Sequence, residues 1–167
     1  ICRDIAHQRD VAVVIDTHLL LVERHGLDGV HLTDGARSVR KARKDLGHDA
    51  IIGGFCGTSR HEGMNAGEAG ADYVAFGPVG ETGLGDGSQV DWDLFQWWSE
   101  VIEVPVVAEG GLTAELVAKF GPVTDHFAIG DIEVDPVDGR DIARIGFLDV
   151  FEAQCCHVFI CLAAFFF

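Results

Sequence analysis

Positive charge is scarce in this 167-residue chain, where 12 Lys and Arg stand against 27 Asp and Glu for a formal net charge of −15. That balance disfavours a nucleic-acid partner, because little on the surface would offset repulsion from phosphate. The one basic cluster is Arg37, Arg40, Lys41, Arg43 and Lys44, expected to point outward from a helix. Long apolar runs are missing too, and none reaches the ~20 residues of a membrane span. With no export signal in view, the expected setting is cytoplasmic, with no membrane partner. Paired cysteines are also lacking. Cys2, Cys56, Cys155, Cys156 and Cys161 make an odd set, which argues against a disulfide framework. Cys155, Cys156, His157 and Cys161 have no second ligand pair at zinc spacing.

What the chain has in quantity is glycine, 21 residues set between apolar runs. This speaks for many tight turns and against a helical bundle. Six β-branched runs recur at residues 11–16, 28–32, 50–55, 72–77, 104–111 and 125–130. Near-continuous Val, Ile and Ala runs fit strands buried on both faces of a parallel sheet. Helical patterns lie between them. Ala36, Val39, Ala42 and Leu46 share one face. Asp91 is placed to cap a helix carrying Leu94, Phe95, Trp98 and Val101, and Thr113 to cap one with Leu116, Val117 and Phe120. Ser59 and Glu62 match a capping box.

Alternation of this type means βα units. A doubly wound sheet and a (β/α)8 TIM barrel both remain open on periodicity alone. A complete barrel takes about 250 residues. Six of eight units, starting inside a helix, suit an incomplete barrel whose first βα unit and second strand precede Ile1. Residues 133–167 differ from the rest: 151–167 alone hold five of the eleven Phe and three of the five Cys. They are expected to be a frameshifted or non-native segment after a 1–132 barrel domain. One expectation is therefore a partial gene product with open sheet edges that does nothing alone.

In either architecture function sits where strands end. Asp16 closes the first strand and suits either Mg²⁺ with a substrate phosphate or a helix cap. His31 lies inside the second strand, a position that favours a hydrogen-bonded core residue, and Asp34-Gly35 reads as a turn. Gly53-Gly54 lets a ligand approach the backbone, with Cys56 as a small pocket-lining residue or a reactive thiol. Five Gly fall within residues 77–87, a loop with neither GxGxxG nor P-loop spacing. Gly110-Gly111 and Gly130 suit backbone N–H binding of a phosphate, as loops after the last two strands of a barrel often provide.

The strings GADYVAFGPV (70–79), PVVAEGGLTAELV (105–117), LDGVHLTDG (27–35) and VVID (13–16) resemble thiamine-phosphate synthase and its TenI-like relatives over residues 1 to about 132. The resemblance implies a (β/α)8 barrel that joins hydroxymethylpyrimidine diphosphate to thiazole phosphate, with Mg²⁺, and releases pyrophosphate. It implies phosphorylated pyrimidine and thiazole substrates as small-molecule partners. The family's Asn-Asp pair falls on Ile15-Asp16, which keeps the metal-binding Asp and loses the pyrimidine-contacting Asn. Its second metal Asp falls near Ala36, with Asp34 two residues away. The pyrophosphate-contacting Ser falls on Cys56, making Asp16 and Cys56 the candidate catalytic pair. Its Thr-x-Thr-Lys loop falls on Thr82-Gly83-Leu84-Gly85, so one Thr remains and the Lys is gone. The thiazole-phosphate Gly falls on Gly111, and the Ile-Ser pair on Ile129-Gly130. His31 joins the substrate-binding candidates, and a Gln-x-x-x-Lys strand would precede Ile1. The backbone-based phosphate site is thus kept, while the side-chain diphosphate site is largely lost. A non-condensing TenI-like protein that binds or isomerises a thiazole phosphate is the alternative function.

Overall fold

The computed structural model describes residues 2–83, 87–129 and 158–159. Helix α1 (Cys2–His7) opens it. Strands β1 (Val14–Asp16), β2 (Gly29–Leu32), β3 (Ile51–Phe55), β4 (Tyr73–Phe76), β5 (Val106–Glu109) and β6 (His126–Ala128) alternate with helices α2 (Leu19–His25), α3 (Val39–Leu46), α4 (Arg60–Glu68), α5 (Trp92–Val101) and α6 (Ala114–Phe120). Each apolar run read from the sequence contains one strand. The six strands are parallel neighbours in chain order, and a short β7 (Val158–Phe159) lies antiparallel against β1. The remaining calls on residues 133–167 lie outside the described residues.

Burial decides between the two architectures. One face of the sheet packs against helices α2–α6 through Val22, Val39, Ala42, Ala66, Leu94, Phe95, Trp98 and Phe120. The other face carries a separate cluster of Tyr73, Ala75 and Val107, backed by Ile51, Phe55 and Ala128. Helices on one face, with strands in sequential order, make an incomplete (β/α)8 barrel; a doubly wound sheet would carry helices on both faces. The helix-side core is dense in aromatics. Phe76 meets Trp98 and Phe95 edge-on at ring distances of 5.0 and 5.9 Å. The buried Trp98 indole donates to the Val104 carbonyl at 2.8 Å. Val101, read as part of the buried face of α5, is 55% exposed, because that helix ends there.

Three aspartates repeat one device at the N-terminal end of the sheet. Asp28, Asp72 and Asp125 each stand just before a strand. Their carboxylates accept from Val13 N (2.7 Å), Ile52 N (2.7 Å) and Val106 N (2.8 Å). Their own amides donate back to the carbonyls of those same residues at 2.9, 2.8 and 3.1 Å. Each side chain thereby closes a ring with the preceding strand and satisfies an N–H that the ladder leaves over. Arg43 adds a hub beside Asp72, donating to it at 2.5 Å and to the carbonyls of Gly47, His48, Ala50 and Gly70.

Caps follow the sequence in part. Thr113 accepts from Leu116 N and Ser59 from Glu62 N, while Asp91 makes no side-chain cap bond. The Glu62 carboxylate turns away from Ser59 and reaches Ala36 N at 3.5 Å, so only half of the capping box forms. Asp16 does not cap a helix; His18 holds the position before α2.

Candidate active site

Register sets which side chains enter the barrel. Asp16 pairs with His31, His31 with Gly53, and Gly53 with Tyr73, so these four share one row on the inner face. Phe55, Ala75 and Val107 form the next row, and Glu109 follows two residues on from Val107. Ile15 faces the other way and packs against the helix-side cluster.

Within the inner row His31 is buried, with its Nδ1 2.9 Å from the Tyr73 hydroxyl and the two rings stacked at 5.7 Å. Burial pushes the His31 pKa down to about 4 against an opposing pull from Asp16. The imidazole is therefore neutral at physiological pH. A side chain on Gly53 would meet the Tyr73 ring at 2.0 Å. The space expected to admit a ligand at Gly53 is thus taken by Tyr73, because the only tyrosine of the chain needs that gap to lie beside His31.

Two carboxylates on this face stand apart. Asp16 Oδ1 and Glu109 Oε2 are buried and have no hydrogen-bond partner among the described residues. Burial, and then the charge of Asp16, pushes the Glu109 pKa up to about 7. Glu109 lies over Gly77, where a side chain would come within 2.9 Å of its Cγ. The expectations passed over Glu109. Its signal was available as a lone acid at the end of the apolar run VPVVAEGG.

Beyond Glu109 the chain turns through Gly110 and Gly111, at φ +81° and +65°, a left-handed pair that glycine adopts freely. Val79 and Gly80 of the loop after β4 donate to the carbonyls of Glu109 and Gly110 at 3.0 Å. The two loops touch closely enough that a side chain on Gly80 would meet Gly111 O at 2.0 Å. Thr82 and Gly83 are exposed in the same loop, as is Ile129 (38%) after β6. Leu84 and Gly130 lie outside the described residues.

On the rim above β2 and β3, an open concavity of about 320 Å³ is lined by Thr33, Asp34, Gly35, Arg37, Cys56, Gly57 and neighbouring Phe55 and Glu62. Asp34 is exposed and accepts from Ser38 Oγ at 2.6 Å. Cys56 is buried and donates to Gly54 O at 3.4 Å. Burial, with Glu62 and Glu109 nearby, pushes its thiol up to about 12, so it stays protonated and lines the site as a small weak donor rather than a thiolate. Arg37, read as part of an outward basic cluster, is the one cation among these lining residues.

The description thiamine monophosphate synthase belongs to the family model that matches residues 1–121. The chain belongs to that family. It is 47% identical to the thiamine-phosphate synthase of Erythrobacter litoralis over 109 residues, covering 64% of this chain and 51% of that protein. It is 44% identical to the thiamine-phosphate synthase of Rhodospirillum centenum, over 69% of this chain and 56% of that one. The chain thus spans about half the length of these family members. A solved thiamine phosphate pyrophosphorylase from Pyrococcus furiosus matches the fold with a TM-score of 0.67 and 24% identity, over 76% of this chain and 61% of that one. Among the described residues no helix is long and apolar enough to cross a membrane.

Proposed function

We propose that the protein acts in thiamine biosynthesis, condensing hydroxymethylpyrimidine diphosphate with thiazole phosphate to give thiamine phosphate and pyrophosphate. The observation that carries this reading is the family match combined with a buried, unpartnered Asp16 Oδ1 at the end of β1. Pyrophosphate leaves with the C–O bonding electrons, and the thiazole nitrogen captures the pyrimidine cation. The chain's task is to hold both substrates in line and to stabilise the departing charge. Gly110 and Gly111 would offer backbone N–H groups to the thiazole phosphate. Arg37, in the concavity with Cys56 and Gly57, would offer positive charge to the diphosphate.

A buried carboxylate oxygen with no partner suits a divalent cation. Mg²⁺ needs only one or two protein carboxylates when substrate phosphates complete its shell. Asp16 would hold it, and Asp34, two residues along the chain from the family's second position, is the further candidate. When bound, Mg²⁺ would neutralise charge on the leaving diphosphate. A cytoplasmic setting fits such small phosphorylated substrates.

A second reading, a TenI-like protein that holds a thiazole phosphate without condensing it, is supported by the loop 82–85, which has one Thr and no Lys. Incubating the purified protein with both substrates and Mg²⁺ decides between the two. Condensation predicts thiamine phosphate that increases with enzyme concentration. Thiazole phosphate binding with no product at any concentration sinks the first reading and leaves the second.

A further inference from the structure

We propose that Glu109 reads the amino edge of the pyrimidine ring, its carboxyl group meeting the exocyclic amino group and the adjacent ring nitrogen. This rests on the condensing reading above and names how one of its substrates is recognised.

Among the described residues, the inner face offers few groups able to hold a polar ring. His31 and Tyr73 are joined to each other. Ile15, where the resemblance places a pyrimidine contact, faces the helices. Asp16 is placed to serve the cation. Glu109 remains, with one oxygen buried and without a hydrogen-bond partner among the described residues. A buried acceptor in that state is costly unless something completes it. Gly77 keeps the ground beneath its side chain clear, and the Gly110-Gly111 turn begins at the next residue.

Charge then sorts the substrates. Glu109 offers phosphate no positive charge, so the phosphates belong with the backbone N–H groups, Arg37 and the cation that Asp16 would hold. The ring belongs inside. Thiazole phosphate carries no N–H to offer an acceptor. The aminopyrimidine does, beside a ring nitrogen that accepts. A carboxylic acid presents one donor and one acceptor at matching spacing. Burial, and then the Asp16 charge, push Glu109 up to about 7 before any cation binds, and the accepting ring nitrogen favours the acid form in the complex.

Calorimetry tests this with three probes on the whole protein with Mg²⁺: hydroxymethylpyrimidine diphosphate, its analogue with hydrogen in place of the amino group, and thiazole phosphate. Wild type should prefer the amino compound by about 10- to 100-fold, the scale of losing hydrogen bonds to a buried polar group. Glu109→Ile should bring that ratio near unity and leave thiazole phosphate affinity within about threefold, which also shows that the variant is folded. Glu109→Gln, which keeps a donor and an acceptor, should retain most of the preference. An unchanged ratio in Glu109→Ile overturns the proposal while the condensing reading stands. Wild type that binds neither pyrimidine probe, yet melts cooperatively, overturns both.

Discussion

The two ends of the sheet treat the same functional group in opposite ways. At the N-terminal end, Asp28, Asp72 and Asp125 each accept a backbone N–H of the preceding strand at 2.7–2.8 Å. At the C-terminal end, Asp16 Oδ1 and Glu109 Oε2 are buried with no partner among the described residues. A carboxylate that closes a strand ring stabilises the fold. One left open destabilises it, and such a cost is found where a ligand is to be met. The difference separates residues that make the barrel from those that use it, and neither charge nor residue type reveals it.

Three measurements would break or sharpen that contrast. The largest effect is expected from Asp72→Ala. It orphans the amide of fully buried Ile52 and removes a charged partner of Arg43. Stability in urea should fall by about 2–3 kcal/mol, and a loss below about 0.5 kcal/mol would deny the clasp its role.

Next comes the pH dependence of stability. The Glu109 pKa in the folded state is about 7, above its ordinary 4.5, so between these values the native chain holds a proton that the unfolded chain releases. Its stabilising share is therefore fully present below about pH 4.5 and lost as pH rises through 7. Wild type should lose on the order of 2 kcal/mol across that window relative to Glu109→Gln. Parallel pH profiles for the two proteins would show that Glu109 is already satisfied.

The smallest change in stability is expected from Asp16→Asn. With no protein hydrogen bond to lose at Oδ1, its unfolding free energy in urea should change by less than about 1 kcal/mol. On the condensing reading, thiamine phosphate formation should meanwhile drop about 100-fold or more. A collapse in stability would place Asp16 with the clasping aspartates instead.

How much of this was legible follows from what each signal depends on. All six strands were, because each lies within a short apolar run. The choice of barrel over doubly wound sheet was not, since it depends on which face the helices take, and local pattern carries no such information. Asp16 was found from its place at a strand end. Glu109 was missed because the glycine pair beside it drew the reading to the backbone. Gly53 was read as room for a ligand, yet the occupant is Tyr73, twenty residues along the chain and one strand away. Arg37 was grouped with its basic neighbours by helical period, but it precedes α3 and sits on the rim. The half-formed capping box at Ser59 has the same lesson. Glu62 had a second destination near Gly35 and Ala36 that only the fold brings within reach.

The aspartate clasps fall on alternate junctions. Asp28 ties β2 to the chain entering β1, Asp72 ties β4 to β3, and Asp125 ties β6 to β5, and no such aspartate spans β2–β3 or β4–β5 among the described residues. The sheet is therefore a stack of three stitched doublets rather than six equal strands. Each doublet carries its own lock at the bottom and contributes its own share of the rim at the top.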